Sequence, residues 1–156
     1  MPRVPIHVDS PMALAALDVY QRPDLAAEMR PESLEELLSM TNVHEAKTPD
    51  ESRRLNTPGT PSIIVSASGM ATGGRVVHHL ESLLPHAKNT VVLSGYQAAG
   101  TRGRSLQDGA REVKLLGGYV RVRADVVVDD TFSVQADADE LVSWLDRLPS
   151  RLRSSI

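Results

Sequence analysis

Residues 61–106 read PSIIVSASGMATGGRVVHHLESLLPHAKNTVVLSGYQAAGTRGRSL, and the fold turns on this stretch. Its apolar run Ile63-Ile64-Val65 suits a buried strand. The small residues Ser66 to Gly74 make a turn. Val77, Leu80 and Leu84 then fall on one face of a helix that Pro85 ends. Val91-Val92-Leu93 is a second strand, and a second small-residue loop runs from Ser94 to Arg104. Strand, loop, helix, strand, loop is the grammar of an α/β fold. The expectation is a parallel, Rossmann-like sheet flanked by helices.

Both loops fall at the carboxyl ends of their strands, where open α/β sheets bind ligands. Glycine lets a backbone approach a ligand closely, and the free N–H groups at a helix start attract anions. Phosphate is the ligand this pattern suggests. Ordinary strand-to-helix turns have the same look, and isolated Gly-rich turns do not separate the two readings.

Upstream, Val4 to Val8 reads as a short strand. Ser10 is an N-cap, with Pro11 at the first helical position and Met12, Leu14, Leu17 and Tyr20 as the apolar side of the helix. Asp9, just before that helix, is expected to cap it or to complement its dipole. Residues 21–60 are acidic and broken by proline. Leu34, Leu37 and Leu38 suggest a short helix from near Ser33, and Asp50 to Leu55 another, while His44 reads as a solvated or hydrogen-bonding residue. Downstream, Glu112–Leu116 and Tyr119–Ala124 flank Gly117-Gly118 as a hairpin, with apolar Val120, Val122 and Ala124 alternating with Arg121 and Arg123. Val126 to Val128 is a further strand. A closing helix starts at Asp137 with Glu140 in a capping box, and Leu141, Trp144, Leu145 and Leu148 share a face on which Trp144 reads as core.

Composition narrows the functions. The chain of 156 residues suits one domain, or one with an appendage. Its net charge of −3 argues against a wholly basic nucleic-acid glove. With one Trp, one Phe and three Tyr, base stacking is not expected to be the main RNA contact. There is no cysteine, so neither a disulfide framework nor a thiolate metal site, and a cytoplasmic location is expected. No apolar run is long enough for a membrane span. Charge is uneven, however. Arg102, Arg104, Arg111, Lys114, Arg121 and Arg123 face only Asp108 and Glu112 between Gly95 and Ala124, a stripe that suits a phosphate backbone or a solvated hairpin face.

The histidines, His7, His44, His78, His79 and His86, offer no metal-site spacing. His78 and His79 point about 100° apart on a helix, and Pro85 separates His79 from His86. Neither a Gly-x-Ser-x-Gly elbow nor a Walker loop nor a full Rossmann fingerprint is present.

SASGMATGGRVVHHL, SGYQAAGTRGRSL, VPIHVDSPMA and FSVQADADELVSWL together resemble the β-CASP RNA-processing branch of the metallo-β-lactamase superfamily, across nearly the whole chain. The resemblance implies a partial β-CASP domain over residues 1–110 and the start of the C-terminal RNA-metabolising segment over 111–156. It implies zinc in the complete family protein, held by a His-x-His-x-Asp-His run in a lactamase half that these residues lack. It therefore implies no metal and no cofactor in this chain, which reads as a truncated, excised or degenerate relative. Gln135 stands where relatives usually carry a His thought to assist the scissile phosphate or the zinc-bound water. Glutamine donates a hydrogen bond but does not shuttle protons near neutral pH. The resemblance and the loop pattern together make Ser66, Ser68, Gly69, Met70, Gly73, Gly74, Gly95, Tyr96, Gly100, Thr101, Arg102 and Arg104 the candidate RNA or phosphate contacts. The expected partners are single-stranded RNA, and either a lactamase domain in cis or trans or a second copy of the chain. The other reading is a protein-interaction module.

Overall fold

The computed structural model describes residues 4–20, 22, 41–131 and 136–147. The elements in order are β1 (Ile6–Val8), α1 (Pro11–Tyr20), β2 (Val43–Glu45), α2 (Pro49–Arg54), β3 (Ile63–Val65), α3 (Arg75–Leu83), β4 (Thr90–Leu93), α4 (Arg102–Gln107), β5 (Glu112–Leu115), β6 (Gly118–Arg121), β7 (Asp125–Val128) and α5 (Ala138–Asp146). The helix expected near Leu34, the position Gln135 and Leu148 of the closing helix's expected apolar face lie outside the described residues.

Parallel pairing dominates, as expected of an α/β chain. β1 sits between β2 and β3, with His7 opposite His44 and Ile64. β4 pairs in parallel with β7, Val92 opposite Val127. The strands joined by α3 thus hydrogen-bond into different sheets, so the β3–α3–β4 unit does not close on itself. The loop leaving β3 meets β4 across a cleft instead.

The core gathers on the downstream side. Val77, Leu80 and Leu84 of α3 and its cap are buried, as their spacing predicts, against Leu93, Leu106, Val113 and Leu115. Leu84, Leu106 and Leu115 are fully buried, each worth roughly 2–3 kcal/mol of apolar transfer. α3 ends at Leu83, two residues before Pro85, and the Leu84 carbonyl accepts the N–H groups of Arg123 and Ala124. Residues on both sides of position 110 therefore share one core.

The β5–β6 hairpin forms with its turn one residue earlier than the glycine pair suggests. Leu116 (φ 46°) and Gly117 (φ 92°) are the central residues, and Gly118 already pairs with Leu115. Positive φ at both central positions matches the right-handed twist of the strands. This register turns Val113 and Val120 inward together and leaves Lys114, Tyr119 and Arg121 outside.

Two helices depart from expectation. α5 begins at the predicted capping box, Asp137 with Glu140, yet no residue of it is buried, and Trp144 is 60% exposed rather than core. Periodicity shows that a helix has an apolar face. It does not show what covers that face, and among the described residues nothing does. α1 starts at Ser10 and Pro11 as predicted, but it too buries no residue, and Met12 and Tyr20 stand exposed.

Candidate functional site

Two polar clusters meet at the start of α3. The first is closed. Asp9 is fully buried, and it is not a cap: the Ser10 side chain takes that part by accepting the Ala13 N–H. The Asp9 carboxylate instead accepts hydrogen bonds from Ser52 Oγ at 2.6 Å, Arg75 Nη1 at 2.5 Å and His79 Nε2 at 2.6 Å. His79 also hydrogen-bonds through Nδ1 to Asn56 Oδ1 at 2.7 Å, and Arg75 donates further to the carbonyls of Ala46 and Lys47. Burial alone raises the Asp9 pKa. The hydrogen bonds from Ser52, Arg75 and His79, with the His79 charge, more than offset that and hold it below its ordinary value of 3.8. The cluster locks β3 as well, because the Asp9 N–H donates to Val65 O and Ser66 Oγ donates to Asp9 O. Sequence reading weighed Asp9 and His79 separately and passed over Arg75. No local spacing signals a contact between residues 66 and 70 positions apart.

The second cluster is open. The loops after β3 and β4 bound a cleft of about 560 Å3 whose lining includes Ser66, Ser68, Gly69 and Met70 on one side and Gly95 and Tyr96 on the other. Val76 and Leu80 of α3 and the strand β4 complete it. Gln97 pins the loops together. Its side chain is buried, and Nε2 donates to Gly95 O at 2.9 Å and to Gly69 O at 3.2 Å. Gly103 makes room for this clamp, since a Cβ there would lie 1.7 Å from Gln97 Oε1, and its own N–H donates to Met70 O. Gln97 was not among the residues expected from sequence; the absent side chain at Gly103 is its only local signal.

The remaining candidates stand around the cleft rather than in its lining. Gly74 (φ 74°) opens α3 without a side-chain cap, next to Gly73. Gly100 adopts φ 81°, and Thr101 caps α4 by accepting the Arg104 N–H. Arg102 is a strut: Nε donates to Lys114 O at 2.6 Å, and Nη1 donates to the carbonyls of Ala71 and Thr72 at 3.1 Å. Arg104 pairs with Asp108 one helical turn on, through contacts of 2.9 and 3.0 Å. That hydrogen bond, then the Asp108 charge, raises the Arg104 pKa, and the Tyr96 hydroxyl adds to it. Arg111, Lys114, Arg121 and Arg123 are exposed on the hairpin side.

Among the described residues no group of three His, Cys, Asp or Glu side chains is placed to hold a metal. His7 and His44 face each other with ring centroids 5.3 Å apart, and burial followed by the neighbouring His44 lowers the His7 pKa. His79 is buried and His78 exposed, as their adjacency on a helix requires.

Parallel strands flanked by helices define an α/β module, with a cleft where a strand-end loop meets β4. The Beta-Casp domain family matches residues 1–106, and the chain belongs to the β-CASP RNA-processing branch of the metallo-β-lactamase superfamily. It is similar to the ribonuclease TTHA0252 of Thermus thermophilus, 34% identical over 155 residues, which cover 96% of this chain and 36% of that protein. An RNase J-like protein of Methanocaldococcus jannaschii is 42% identical over 105 residues, covering 67% of this chain and 24% of its own length. The transcription termination factor FttA of Cenarchaeum symbiosum is 37% identical over 118 residues, covering 72% and 18%. The chain thus spans about a third or less of the length of these relatives. Among the described residues no helix is long and apolar enough to cross a membrane.

Proposed function

We propose that this chain is the RNA-guiding portion of a zinc-dependent RNA-processing nuclease, and that the cleft between the 66–74 and 95–104 loops takes the backbone of single-stranded RNA. The observation that carries the reading is the cleft itself: two Gly/Ser loops from separate strands, bridged by Gln97, in a β-CASP chain. Loop amides and hydroxyls contact phosphate, and exposed cations around the cleft add a salt-dependent attraction. Residues 1–110 are the partial β-CASP domain and 111–156 open the RNA-metabolising segment. The zinc belongs to a lactamase half, so the chain alone binds without cleaving. A cytoplasmic setting fits a cysteine-free protein of this kind.

The test is a titration of labelled single-stranded RNA at several salt concentrations, with cleavage followed in the same tubes with and without zinc. Salt-dependent binding without cleavage is expected. No binding at low salt overturns the reading. A second reading, an interaction module packing on a lactamase domain or a second copy, is favoured by one observation. Val92 and Val127, paired across β4 and β7, are 58% and 46% exposed, although parallel sheets are ordinarily covered on both faces. Sedimentation as a monomer across micromolar concentrations would count against self-association.

A further inference from the structure

We infer that Tyr96 is a stacking platform for one nucleobase of the strand whose backbone lies in the cleft, an inference that rests on the reading of the cleft just given. The ring lines the cleft and is 73% exposed, and its hydroxyl makes no hydrogen bond among the described residues. An aromatic side chain gains most from burial, so one held in water at the mouth of a ligand cleft presents a face for a flat partner.

The backbone beneath the ring is fixed. Gln97, the next residue, is buried, and its amide grips the Gly95 carbonyl on the near side and the Gly69 carbonyl of the opposite loop. Gly95, the residue before it, has open space where a Cβ would stand. The platform is therefore organised before the ligand arrives, and little loop entropy is lost on binding. Arg104, on the helix that follows this loop, lies within electrostatic reach of the Tyr96 hydroxyl.

Stacking recognises a base and the Gly/Ser loops a phosphate, so the two contacts separate with the right probes. The experiment measures the affinity of the chain, its Tyr96→Ala variant and its Tyr96→Phe variant for a short oligouridylate and for an abasic ribose-phosphate oligomer of equal length. Wild type is expected to prefer the oligouridylate. Tyr96→Ala is expected to weaken it about 10-fold, within the usual worth of one base–aromatic stack, while leaving the abasic oligomer unchanged. Tyr96→Phe restores the preference because the ring, not the hydroxyl, does the stacking. Equal wild-type binding to both oligomers, or an equal loss on both in Tyr96→Ala, overturns the platform while leaving the cleft reading in place. Wild type binding neither oligomer overturns both. Circular dichroism of the variants guards against unfolding.

Discussion

The two clusters at the start of α3 are built from similar material and do opposite things. In the buried one every polar group of Asp9, Arg75 and His79 named above meets a partner inside the protein, and Asp9 has no exposed surface. In the cleft, Tyr96 and Gly69 are exposed, and among the described residues the Ser68 hydroxyl bonds only to Thr72. Charge concentrated in the interior holds strands together and cannot reach a ligand. Hydroxyls, glycines and an aromatic ring at a rim can. The charged residues nearest the loops, Asp9, Arg75 and Arg102, are engaged within the protein, and what the cleft leaves exposed is weakly polar.

The sharpest way to break this division is at Asp9. Asp9→Ala leaves Arg75 and His79 facing a buried void, a change expected to cost about 3–5 kcal/mol and to be read by urea denaturation. A loss similar to that of an exposed carboxylate would mean the cluster is not closed. The same residue sets a pH signature. Its folded pKa lies below 3.8, so its stabilisation is present above that value and is lost as pH falls through the folded pKa. Stability should therefore drop more steeply below about pH 4 in the wild type than in Asp9→Asn. Matching acid profiles for the two proteins would refute the assignment.

Gly103→Ala probes the clamp that joins the two cleft loops. A Cβ 1.7 Å from Gln97 Oε1 and 3.2 Å from the Met70 carbonyl carbon forces the amide away from the Gly69 and Gly95 carbonyls. Overpacking of this kind costs about 1–3 kcal/mol. Here RNA affinity should fall as well, because the loops lose their bridge. Unchanged affinity alongside reduced stability would show that the cleft shape does not depend on Gln97.

Much of the scaffold was legible because its signals are local. The capping box at Asp137–Glu140, the Ser10–Pro11 start of α1 and the Val77–Leu80–Leu84 face lie within a few residues of their partners. The hairpin was legible to within one residue, because Leu116 accepts a positive φ that sequence assigns more readily to the Gly117-Gly118 pair. What escaped reading is long-range. Whether β4 pairs with β3 or β7, whether Asp9 meets His79, and whether Gln97 reaches Gly69 all depend on tertiary packing. Trp144 failed for a related reason: helical spacing identifies an apolar face but not its cover.

The smallest expected effect decides how Arg102 and Arg104 divide. Sequence reading grouped them as RNA contacts, but their surroundings differ. Arg102 holds three backbone carbonyls on β5 and the first loop, so Arg102→Ala should lower stability by about 1–2 kcal/mol and disturb the cleft indirectly. Among the described residues the Arg104 side chain bonds only the exposed Asp108 that caps its own helix, an arrangement that contributes little to folding. Arg104→Ala should therefore leave the denaturation midpoint where it is. If its guanidinium turns from Asp108 toward a bound phosphate, the same variant lowers the slope of log affinity against log salt by about 1. The double variant Arg104→Ala with Asp108→Ala then separates the two parts. It should match the single variant in salt slope, because the carboxylate matters only through the arginine it holds. Should removal of Asp108 restore affinity without Arg104, the cleft answers to the general field of the surface, and Arg104 has no specific place in it.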